Sequence, residues 1–172
     1  MILGMSTALF TLVHVVISLI ALFAGLVVTF GLLRSQRLPG WTALFLLTTI
    51  LTSVTGFLFH SKAFGPPHVV GVISLVVLAI CAIALYGLHL RGTWRPIYVV
   101  TALLAFYFNA FVAVAQSFDK IGFLHALAPT QKEPPFAVAQ LIVVVLFVYL
   151  GVRAAKKFHP ESLITLGPRV QG

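Results

Sequence analysis

Acid is scarce in this sequence. Asp119, Glu133 and Glu161 are its only carboxylic side chains in 172 residues, and all three stand outside the long apolar runs. A carboxylate proton relay of the kind used inside pumps and transporters has no member there, and a catalytic triad has no acid to orient its base. Lysine is also missing from those runs, which excludes a retinal Schiff base. The one cysteine, Cys81, excludes an intramolecular disulfide and any CxxC metal or redox motif. Two methionines, both at the N-terminus, are too few for a soft copper(I) path. HExxH, GxGxxG and GxSxG do not occur.

What replaces charge is hydrocarbon. The chain is 60% hydrophobic and 8% charged, against about a quarter charged in soluble domains, and its mean hydropathy is +1.12. Apolar runs of roughly 20 residues suffice to cross a bilayer core, and they occur at Ser6–Leu33, Trp41–Phe59, Val69–Leu90, Pro96–Phe118 and Phe136–Val152. The expected fold is all-α, a polytopic bundle of five transmembrane helices over residues 1–158, with a polar tail at 159–172. The lipid bilayer is then its first partner.

The net charge of +8 speaks of topology and not of nucleic acid. Arg34, Arg37, Arg91, Arg95, Arg153, Lys156, Lys157 and Arg169 all fall on one side of alternating spans, against Lys62, Lys120 and Lys132 on the other. The positive-inside rule puts the first group in the cytoplasm and the N-terminus outside, with Trp41 and Trp94 as cytoplasmic interface anchors. The first span carries no charge before Arg34, so it lacks the basic start of a cleaved signal peptide and is expected to stay in the membrane.

Each span carries a face of small or polar residues. His14, Ser18, Ala21 and Gly25 follow helical spacing, as do Thr49, Ser53, Gly56 and His60, and a third face holds His68, Gly71, Ala79, Ala82 and Tyr86. The fourth span places Tyr98, Ala102, Ala105, Asn109, Ala113 and Gln116 together, and the fifth carries Gln140. Small residues let helices approach closely in lipid, so Gly25, Gly56, Ala82 and Ala113 are expected to point inward. The segment IGFLHALA after Asp119 is apolar enough for a short interfacial helix.

The candidate site follows from depth. Counting back from Leu33 at 1.5 Å per residue, His14 lies roughly 28 Å away, near the outer boundary. His60, His68, Gln116 and His125 belong at that level, with Asn109 and Gln140 just beneath. Polar groups in spans usually face the bundle interior and mark a pathway or site. His14, His60, His68, Asn109, Gln116 and Gln140 are the candidate cofactor ligands or contacts, and His14 is expected to share a cavity with Asn109 and with His60 or His68. His60, His68, His125, Asp119 and Glu133 form a candidate mixed metal shell. Neutral imidazole suits haem b or a divalent metal alike. The plainer reading is that these histidines cap backbone or meet headgroup water, and that Asn109 makes one interhelical hydrogen bond worth about 0.6 kcal/mol.

The order of residues from Asn109 through APTQKEPPF resembles a group of small, uncharacterised bacterial inner-membrane proteins. The resemblance implies a bacterial inner membrane location and brings no assigned activity. Three readings follow. The first is a haem- or metal-binding electron-transfer protein, with a quinone contacted by Asn109, Gln116 or Gln140. The second is a non-catalytic accessory subunit held by a membrane protein partner or as a homo-oligomer. The third is a small-molecule or ion permease, disfavoured by the absence of paired broken helices.

Overall fold

Five helices are long and apolar enough to cross a membrane, and no strand occurs among the described residues. A computed structural model describes residue 2 and residues 4–59 and 65–160. His60, Lys62 and the tail from residue 161, with Glu161 and Arg169, lie outside the described residues. The long helices are α1 (Thr7–Leu33), α2 (Pro39–Phe57), α3 (Pro66–Ala82), α4 (Trp94–Lys120) and α6 (Pro134–Lys157). The short α5 (Gly122–Leu127) falls within the apolar IGFLHALA segment.

The helix ends have local causes. Ser6 caps α1 by accepting from the Leu9 N–H at 3.2 Å. Proline opens α2, α3 and α6, where a missing N–H costs little. α6 runs on to Lys157 and not only to Val152, because Ala154 and Ala155 are strong helix formers and Lys156 and Lys157 complement its negative C-terminal dipole. α3 departs from the expected uniform span: its last turn, Ile83–Gly87, is π-helical. The turn that follows holds His89 and Leu90 at positive φ, 52° and 59°.

α1, α2, α3 and α4 pack in sequence and close on one another through α1 and α4, while α6 lies outside against α4 and α1. Small residues make this possible. Ala21, Ala24, Ala84 and Ala105 are fully buried, and the Phe106 ring sits so close to Gly25 that a Cβ there would fall 2.6 Å from it. Phe106 in turn packs edge-on against Phe45 of α2 and Phe147 of α6, joining four helices. Gly25 therefore points inward as expected, whereas Gly56, Ala82 and Ala113 are only half-buried.

The two ends of the bundle differ in chemistry. Arg34, Arg37, Arg91, Arg95, Arg153, Lys156 and Lys157 gather at one, the basic end. Asp119, Glu133, His68 and His125 stand at the other, the histidine end.

Candidate functional site

The first polar cluster to consider lies along α2. Its sequence TTILTSVTG makes it the span of lowest hydropathy, yet its hydroxyls are not left bare. Thr48 and Thr55 donate to the Leu44 and Leu51 carbonyls one turn earlier, at 2.7 and 2.6 Å. Neighbouring hydroxyls of α2 reach the other helices. Thr49 accepts from Asn109 Nδ2 of α4 at 3.1 Å, Ser53 meets Ser74 of α3 at 3.3 Å, and Thr52 meets Ser18 of α1 at 3.4 Å.

His14 joins the same series. Its Nδ1 lies 2.7 Å from Thr55 Oγ1. Thr55 has one hydroxyl proton, already directed at the Leu51 carbonyl, so the imidazole must be the donor and Nδ1 carries the proton. Nε2 of neutral His14 then holds the lone pair. The ring is half-buried and lies edge-on to Phe59 at 5.1 Å.

The other candidates are placed as follows. His68 sits on the first turn of α3, where its Nδ1 accepts from the Gly65 N–H at 3.2 Å and its ring tilts over Phe57 at 5.7 Å. Asn109 is bound to Thr49, six residues from the Thr55 that holds His14, a rise of about 9 Å along α2. Gln116 is exposed, as is His125 on α5. Asp119 is an exposed partner of Lys120 at 2.6 Å. Glu133 folds back on the turn before α6, accepting from the Thr130 hydroxyl at 2.8 Å and the Lys132 N–H at 3.1 Å. The Thr130 hydroxyl, first among its contacts, holds the Glu133 carboxyl below its ordinary value. That closure is present above the ordinary carboxylate range and is lost as pH falls through the lowered value. Gln131, at φ 58°, pins the same turn to α4 by donating to the Ala115 carbonyl at 2.9 Å.

The structure thus brings His14 and Asn109 to one helix, one on each of two hydroxyls. Among the described residues no group of three or more His, Cys, Asp or Glu side chains is placed to hold a metal ion; His60 lies outside them. Gln140, buried between α6 and α4, donates to the Phe111 carbonyl at 3.1 Å, while its Oε1 has no partner among the described residues.

Two cavities have no histidine among the residues that line them. One is an apolar groove of about 420 Å³ between α4 and α6, lined by Leu103, Leu104, Tyr107, Val148 and Gly151 among others. The second, about 60 Å³, is at the basic end between Arg37, Thr42, Tyr86, Tyr98 and Phe158. Neither was legible in the sequence. The groove depends on the rotation of α6, and the small cavity on the π turn that carries Tyr86.

Comparison of the chain with protein-family models, with characterised proteins and with solved structures gives no match.

Proposed function

We propose that this protein is a non-catalytic accessory subunit of a membrane complex, and that the groove between α4 and α6 receives a transmembrane helix of a partner protein. The observation that carries this is the packing of α6. Of its 24 residues only Gln140 and Ala154 are buried, against eight of 27 in α4. Val138, Leu141, Ile142, Val145, Val148 and Val152 are all at least half exposed. Gly151 lies in the groove with nothing within 4 Å of where its Cβ would stand, which offers a close approach to a neighbouring backbone. Of the polar groups towards the histidine end, His14 and Asn109 are meanwhile engaged in interhelical bonds, and His68 and Glu133 in local bonds at the starts of α3 and α6.

Site-specific photocrosslinking in native membranes tests the reading. A crosslinker at Val148 is expected to yield a discrete protein adduct, and one at the exposed Val16 of α1 none. An adduct of twice the monomer mass would identify a second copy as the occupant. Lipid adducts alone at Val148 would overturn the proposal.

One observation favours a second reading, haem b or a divalent metal held at His14. Its Nδ1–H is fixed by Thr55, and an imidazole oriented by a hydrogen bond on one nitrogen is the form in which histidine binds metals through the other. Optical spectra and metal content of wild type and His14→Ala check this reading. We further propose the orientation implied by the basic residues, with the basic end in the cytoplasm of a bacterial cell and the N-terminus outside.

A further inference from the structure

We propose that the cavity at the basic end is a binding site for a phosphate-type oxyanion. The first ground is its lining. Arg37, Thr42, Tyr86 and Tyr98 all face it, and these side chains offer guanidinium and hydroxyl donors with no carboxylate among them. Tyr98 is 3% exposed, and its hydroxyl is paired with that of Thr42. Two buried hydroxyls, with the exposed Tyr86 and Arg37 at the mouth, are matched by an anion with several acceptor oxygens.

Charge is the second ground. Arg34, Arg91, Arg95, Lys156 and Lys157 surround the same end. Among the described residues the only ion pair is Lys120–Asp119, at the far end of the bundle, and both described acids lie there. Among the described residues every formal charge at this end is therefore positive, and such a field draws anions.

Size and enclosure are the third. A volume of about 60 Å³ exceeds the roughly 10–15 Å³ needed for one water on this scale and falls far below the several hundred of a drug-sized pocket. Tetrahedral oxyanions are of that order. The π turn brings Leu85 and Tyr86 to the wall, and π turns inside α-helices are frequent at functional sites. Phe158 closes the other side with its ring 5.8 Å from that of Tyr98. The next residue, His159, donates its N–H to Ser35 Oγ at 2.7 Å, holding this cover over the α1–α2 turn.

The chemistry could be supplied by a free phosphate or by the headgroup of an anionic phospholipid at the same depth, and two arms separate them. In detergent, inorganic phosphate is titrated at constant ionic strength against chloride, with thermal stability and calorimetry as readouts. In lipid nanodiscs, retention of phosphatidylglycerol over phosphatidylcholine is read by native mass spectrometry. Arg37→Gln is expected to weaken the responding arm at least tenfold, and Tyr98→Phe, which keeps the ring and removes one donor, several-fold. Arg153→Gln removes an equal charge from the same end outside the cavity and is expected to change binding less than twofold. A response in the first arm assigns free phosphate, and one confined to the second assigns the lipid headgroup. The proposal is overturned if wild type responds in neither arm, or if Arg37→Gln and Arg153→Gln weaken binding equally.

Discussion

Glycine serves two different purposes in this bundle, and the difference can be measured. At Gly25 a methyl group would strike Phe106 at 2.6 Å, and that ring is held by Phe45 and Phe147 and cannot simply retreat. Gly25→Ala is expected to cost about 1–3 kcal/mol, the usual penalty of overpacking. At Gly56 the nearest atom is His14 Cε1 at 3.9 Å, ordinary contact distance. Gly56→Ala is then expected to be neutral, or stabilising by up to about 1 kcal/mol through helix propensity. Thermal unfolding of the two variants in one detergent checks the contrast. Helical spacing placed both glycines on inward stripes, which was legible for the buried Gly25, whereas Gly56 is only half-buried. Spacing does not say whether the facing residue is a ring or open space, because that depends on the rotation of a second helix about its own axis.

Among the elements, α2 is the one whose role differs most from its composition. A span rich in threonine and serine looks like the poorest membrane helix of the five, and it is the one that binds α1, α3 and α4 through side chains. Back-bonding to its own carbonyls hides the hydroxyl protons from hydrocarbon and leaves the oxygens as acceptors for neighbours. The combined variant Thr49→Val, Ser53→Ala, Thr55→Val keeps the shape of the helix and removes its bonds to Asn109, Ser74 and His14. At about 0.6 kcal/mol for each interhelical bond, the loss should approach 2 kcal/mol. Guanidinium or heat titration in detergent should show it as a lowered midpoint with the helix content unchanged. Unaltered stability would mean that packing alone holds the bundle. The spans and their number were read from run length and from the prolines that open α2, α3 and α6. The π turn at Ile83–Gly87 left no such mark, since it changes neither hydropathy nor the count of apolar residues.

For the whole molecule, the governing fact is the asymmetry between a basic end and a histidine end. Arg34, Arg37, Arg91 and Arg95 sit in two turns on the same side of the bundle, with Arg153, Lys156 and Lys157 beside them, so any orientation rule acts on them together. Reporter fusions after Arg37, Arg95 and Lys157 are expected to report the cytoplasm in a bacterial host. An extracytoplasmic readout at any two of them would reverse the proposed orientation while leaving the bundle as described.

The bond between His159 and Ser35 spans 124 residues of sequence, and its consequence lies in the order of synthesis. When the ribosome has delivered α1 and α2, the turn between them has its cavity wall from Arg37 and Thr42 but not its cover, and Tyr98 is still to come. Phe158 and His159 arrive last of the described contacts, and the Phe158 ring seats against a tyrosine made 60 residues before it. A nascent chain interrupted before that point lacks the bond between His159 and Ser35 and the cover that Phe158 lays over Tyr98. Closure of the basic end therefore waits until Phe158 and His159 have been made and can reach back to Tyr98 and to the α1–α2 turn.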